Sequence, residues 1–113
     1  MQTELTVIKK NKRYNNRRLI IYEGEKIINE VSPFFGWYCW KHNITPDIHK
    51  KARVLIMENL YWLLGKDCSF EEWQYSINHW NEGKGISGVS SNFQSVFFND
   101  EEKDIALNSF HKN

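Results

Sequence analysis

Short runs of alternating apolar and polar residues open the chain, and helical stripes follow. Leu5 and Val7 are offset from Thr6 and Ile8 in the period of two expected of a strand. The turn formers of Asn11–Asn16 come next, and Arg17–Tyr22 is a second run rich in β-branched residues. These two strands predict a hairpin with a basic tip. Beyond the turn Glu23–Glu25, Lys26–Val31 reads either as a third strand or as a short helix. Periodicity does not decide the structure of Phe34–Trp40, which holds five aromatics in seven positions.

Helical signals are clearer. Thr45 is placed as an N-cap, with Pro46 in the first helical position and Asp47 complementing the dipole. Ile48, Ala52, Ile56, Leu60 and Leu64 recur every four residues, joined by Leu55 and Leu63, and Gly65 is expected to end this helix in a left-handed conformation. Ser69 and Glu72 form a capping box for a second helix, whose inner face is Phe70, Trp73, Ile77 and Trp80. That helix is expected to end at Gly83. A Gly/Ser-rich loop over 83–92 leads to a late strand, Phe93–Phe98. Asn99 and Glu102 make a further capping box before a last helix from about Asp100 to Phe110, with Ile105, Ala106 and Phe110 inward. The order predicts an α+β fold: a small antiparallel sheet, made of the N-terminal hairpin and the late strand, packed with about three helices. One domain over residues 1–113 is expected.

Composition narrows the class. A hydrophobic fraction of 41% with a net charge of +1 belongs to a folding chain rather than a disordered one. Cys39 and Cys68 read as reduced thiols of a cytoplasmic protein. No apolar run approaches a membrane span, and Met1–Thr6 lacks the features of a signal peptide. The net charge conceals a polarity. Residues 1–53 carry eleven Lys/Arg against five Asp/Glu, an excess of +6, and residues 54–113 carry four against nine, an excess of −5. This asymmetry marks either a surface for an acidic partner or two halves that complement each other.

The basic hairpin is the sharpest functional feature. Lys9, Lys10, Lys12, Arg13, Arg17 and Arg18 surround Tyr14. Such a cluster suits phosphates, with Tyr14 able to stack on an unpaired base, or an acidic protein surface. Its bland reading is a solvated hairpin whose cations keep a sheet edge soluble. Lys50, Lys51 and Arg53 would extend the patch if the fold brings them beside it. The aromatic block is either core or a docking surface. Its rings cannot all point inward from one regular element, so at least one is expected to be exposed, Trp37 or Tyr38 first.

Other constellations carry less. Gly83–Gly88 matches GxGxxG, but it follows a helix and precedes a strand, the reverse of a dinucleotide site. Cys39, His42, His49 and Cys68 do not have the spacing of a compact zinc finger. Nothing local pairs either thiol with a histidine as a nucleophile. Adjacent Glu71–Glu72 and Glu101–Glu102 diverge on a helix, which excludes a carboxylate dyad, and Asp100–Asp104 reads as a solvated helix start. No catalytic residue, metal or cofactor is expected.

The segment Ser95–Phe110, an aromatic strand followed by an acidic cap and a helix, resembles the C-terminal ending of small, uncharacterised phage-type proteins. The resemblance implies a small accessory protein of a phage or mobile element, such as a host-takeover factor or a defence inhibitor. Together these readings lead to a non-enzymatic binding protein that inhibits a host or competitor protein, of the anti-defence or immunity type. The alternative is a nucleic-acid-binding accessory protein using the hairpin 9–18. A protein partner is expected first, nucleic acid second, and no membrane.

Overall fold

In a computed structural model, the described residues are 4–11, 17–32, 37–65, 67–79 and 99–112. Four strands, β1 (Leu5–Asn11), β2 (Arg17–Glu23), β3 (Lys26–Ser32) and β4 (Trp37–Trp40), form an antiparallel sheet in the order β1-β2-β3-β4. Four helices follow among the described residues: α1 (Pro46–Glu58), α2 (Leu60–Leu64), α3 (Phe70–Asn78) and α4 (Asp100–Asn108), the last running into a 3₁₀ turn over Ser109–Lys112. The α+β class expected from the sequence is therefore the observed one. The expected late strand, Phe93–Phe98, lies outside the described residues.

The Lys26–Val31 segment is a strand. Gly24, at φ +63°, supplies the left-handed residue that a two-residue hairpin loop between Glu23 and Lys26 requires. The β2–β3 register slips between Ile21 and Tyr22: Asn29 pairs with Ile21, but Ile27 pairs with Tyr22. Ile28 is thus an extra residue in β3, and this bulge resets the alternation so that both Ile28 and Asn29 are buried. The second half of the aromatic block is β4, whose pairing with β3 runs from Asn29–Trp40 to Ser32–Trp37.

The helix expected over Pro46–Leu64 is interrupted at Asn59. The Asn59 amide donates to the Leu55 carbonyl at 2.8 Å, and its backbone leaves helical geometry at φ −114°, ψ 12°. A side chain that competes for a helical carbonyl is a known cause of such breaks. Three of the expected caps are observed, while α3, expected to run to Gly83, is capped at His79, and Asn99 caps α4 without a reciprocal capping box. Thr45 accepts from the Ile48 N–H, Ser69 and Glu72 form the reciprocal capping box, and Gly65 closes α2 at φ +67°.

The helices cover one face of the sheet. Leu19, Ile21, Ile28 and Val31 meet Ala52, Ile56 and Met57 of α1, Leu60 and Leu63 of α2, Trp73 and Ile77 of α3, and Ala106 of α4. Two aromatic side chains tie these helices together through their polar groups. The Trp73 indole N–H is shared between the Ala106 and Leu107 carbonyls, each at 3.2 Å, which locks α3 onto the end of α4. The Tyr61 hydroxyl donates to the Cys68 carbonyl and accepts from the Cys68 N–H, fixing the loop before α3. Phe110, expected within the last helix, sits in the 3₁₀ turn and packs its ring on Tyr61 and Phe70.

Candidate functional surface

The hairpin cations divide between the two faces of the sheet. Cross-strand partners share a face and neighbours along a strand do not. Lys10 is paired with Arg18, Lys9 with Leu19, and Asn11 with Arg17. Lys9 and Arg17 therefore lie on the helix side, with the buried Leu19, while Lys10 and Arg18 lie on the opposite face.

Arg17 is held by the fold. Its guanidinium donates to the Trp62 carbonyl at 2.6 Å, sits 5.3 Å from the centre of the Trp62 ring and lies against Gly65. The same carbonyl accepts from the Gly65 N–H at 3.1 Å, so Arg17 adds a second donor at the C-terminal end of α2, where a cation is favoured. The Lys9 ammonium also lies 5.3 Å from the Trp62 ring centre, so one indole engages two cations of the hairpin. On the other face, Arg18 pairs with Glu30 at 3.1 Å, and Lys41 approaches the second oxygen of Glu30 at 4.0 Å. Lys10 is exposed. Lys12, Arg13 and Tyr14 lie outside the described residues. Trp37 and Tyr38 are placed in β4 by their backbone; their side chains, expected to include an exposed ring, lie outside the described residues, as do Phe34–Gly36. Trp40, at the end of β4, is half-buried against the core with its ring 4.6 Å from that of His49.

Arg53 corrects the expected extension of the basic patch. Its side chain is 2% exposed, and its Nε and Nη2 donate to the two Glu102 oxygens, each at 2.8 Å. Glu102 is buried as well, so it is not part of a solvated helix start. Asn99 caps α4 by accepting from the Glu102 N–H, while the Glu102 carboxylate reaches α1. His49, one turn before Arg53, has its pKa lowered from the ordinary 6.5, first by burial, then by the Arg53 charge, against an opposing pull from Glu102. Asn29, fully buried on the neighbouring strand, has no hydrogen-bond partner for either side-chain polar atom among the described residues.

Lys50 and Lys51 are exposed and do lie beside the hairpin sheet. With Glu4, Leu5, Val54 and Leu55 they line an open groove of about 670 Å³ between the start of β1 and the flank of α1. Among the described strands β1 is an edge. The groove escaped sequence reasoning because it depends on strand order. The burial of Arg53 and Glu102 was within reach, since Arg53 is one turn before the core residue Met57, and Glu102 one turn before Ala106.

Among the described residues, no group of three or more His, Cys, Asp or Glu side chains is placed to hold a metal ion. None of their helices is long and apolar enough to cross a membrane. The GxGxxG segment Gly83–Gly88 is outside the description. Comparison with protein-family models, with curated proteins and with solved structures finds no match to this chain.

Proposed function

We propose that this protein is a non-enzymatic binding protein that acts by occupying an acidic surface of another protein, in the manner of a mobile-element accessory factor that inhibits a host or competitor. The observation that carries this reading is the distribution of its cations. Arg17 and Arg18 are held against the fold and only partly exposed, and Lys9, Lys10, Lys50 and Lys51 are exposed along β1 and the adjoining flank of α1. Ammonium groups spread beside an apolar groove suit a protein segment that offers carboxylates and aliphatic side chains together.

The test is capture of the tagged protein from its native cell, identification of what is bound, and reconstitution with the purified partner. A purified protein that binds directly, and loses affinity as salt rises, supports the reading. Failure of every captured protein to bind in reconstitution refutes it.

Binding of nucleic acid by the hairpin is the second reading, favoured by Lys10 beside the sequence Lys12-Arg13-Tyr14. On duplex DNA its affinity would fall with a log–log salt slope of about −0.9 per phosphate neutralised. Replacing Lys10, Lys12 and Arg13 with Ala would flatten that slope. No binding of single- or double-stranded DNA or RNA at low salt removes it.

A further inference from the structure

We propose that the β1 edge and the β1–α1 groove together form a docking site for one extended acidic segment of a partner protein, which adds to the sheet as a fifth strand beside the four described. This rests on the protein-binding reading and specifies its site and ligand chemistry.

Three observations converge on that occupant. The first is the edge itself. A terminal strand presents unpaired N–H and C=O groups, and proteins usually blunt such edges with charge, proline or a bulge. Here Lys9 and Lys10 protect only the second half of β1. Leu5, Thr6, Val7 and Ile8 are four uncharged residues, the last three β-branched with strong β preference, and Ile8 is a large apolar side chain left 42% exposed on the face away from the helices. An added strand would cover it.

The second is the groove on the helix side of the same edge. Leu5, Val54 and Leu55 give it an apolar floor, while Glu4, Lys50 and Lys51 stand at its rim. The buried face of α1 is Ala52, Arg53, Ile56 and Met57. The residues lining the groove lie on the neighbouring flank, so the groove opens outward beside β1 rather than into the core. Side chains two apart on a strand project to the same face about 6.6 Å from each other. A strand paired to β1 would thus direct alternate side chains into this groove and the remainder over Ile8.

The third is charge. Lys50 and Lys51 lie near the start of β1, and Lys9 and Lys10 near its end, so ammonium groups bracket the uncharged stretch. Backbone pairing supplies affinity in strand addition, and side-chain pockets supply selectivity. The selectivity offered here is for aliphatic residues facing the groove and Ile8, with carboxylates toward the lysines at either end.

The test uses the full-length protein and a fluorescein-labelled, end-blocked peptide of alternating glutamate and valine, about eight residues long to match a strand. Three comparison probes are its lysine–valine counterpart, the same glutamate–valine peptide N-methylated at every second amide, and a single-stranded oligothymidylate. The glutamate–valine peptide should bind, shift the amide resonances of residues 5–10 and 50–55, and slow hydrogen exchange along β1. N-methylation should abolish binding, because it removes the pairing edge while leaving the protein unchanged. In the charge-reversed variant Lys50→Glu/Lys51→Glu the affinity should fall about tenfold or more, with preference passing to the lysine–valine peptide.

Equal binding of the N-methylated peptide, resonance shifts elsewhere, or tighter binding of the oligothymidylate at the same residues would overturn the proposal. So would the absence of peptide binding. If a reconstituted native partner binds the charge-reversed variant as well as the parent, the site assignment falls while the protein-binding reading stands. If no captured protein binds in reconstitution, that broader reading falls even where the peptide docks.

Discussion

Removing one member of the Arg53–Glu102 pair should destabilise the fold far more than removing both. The guanidinium is 2% exposed and the carboxylate 10%, and their two 2.8 Å contacts give bidentate geometry. Solvent therefore screens the pair little, and it is unlike an exposed ion pair worth about 0–1 kcal/mol. Glu102→Leu strands a guanidinium in the core and should cost about 3–5 kcal/mol. Arg53→Met leaves the carboxylate closer to solvent, where it can take up a proton, and should cost about 2–3 kcal/mol. In the double variant two apolar side chains bridge α1 and α4, and most of the loss should be recovered. Glu102→Gln, which keeps the shape but can accept only one of the two guanidinium N–H bonds, should fall between parent and Glu102→Leu. Urea unfolding followed by far-UV circular dichroism and tryptophan fluorescence measures all four variants, with equal m values required for the comparison. Single costs that sum to about 5–8 kcal/mol, against a double variant near parental stability, put the coupling in the double-mutant cycle at about 4 kcal/mol or more. Single variants that each cost under about 1 kcal/mol and add without coupling would show that the pair behaves as a surface contact.

Three further perturbations separate structural from binding roles. Arg17→Ala should lower stability by about 1–2 kcal/mol, through loss of the contact with the end of α2 and the cover over Trp62, as read by thermal unfolding; an unchanged melting temperature would release Arg17 for a binding role. Asn29→Leu should raise stability by about 1–3 kcal/mol, because it removes a buried amide with no partner among the described residues; a loss in urea unfolding would show that the amide is paired. The lowered pKa of His49 makes its neutral form the one favoured in the folded protein. The unfolded chain then binds more protons as pH falls through 6.5 toward the folded value, so stability is full above that window and is lost across it, and His49→Gln should flatten this part of a stability–pH profile.

What could be read from the sequence follows the range of the forces involved. Caps are local, and Thr45, Ser69 and Asn99 each announce their helix by residue type and spacing. Gly65 is equally local. The hairpin strands were legible because their β-branched alternation agrees with the turn-forming residue types between them. β3 stayed open between strand and helix because a bulge disturbs its alternation, so that Ile28 and Asn29 are buried in succession. The aromatic block stayed open because its rings have no distinct period. At Asn59 a single side-chain bond to the backbone cut short a stripe that continues across the break. Arg53 and Glu102 were placed in solvent because each was judged by its charge, although both fall in phase with core residues one turn later. The groove is a non-local product of β1 lying beside α1, and no spacing along the chain contains it.

The polarity between the two halves of the chain now has a physical account, and it bears on how a partner would arrive. Arg53 of the basic half meets Glu102 of the acidic half, so part of the asymmetry is internal complementarity. Arg18 and Lys41 direct their charge to Glu30 within the basic half. In the acidic half, Glu71, Glu72, Asp100 and Glu101 are exposed in the first turns of α3 and α4, where helix dipoles stabilise them. Lysines 9, 10 and 50 remain exposed near the edge strand and its groove. An acidic ligand would thus be drawn to the β1 side and repelled from the starts of α3 and α4, which orients the encounter before any apolar contact forms. Steering of this kind acts on the association rate and is weakened by salt, whereas strand pairing and the apolar groove govern how long the complex lasts. Charge reversal at Lys50 would therefore act mainly on association, and backbone methylation of the ligand on dissociation.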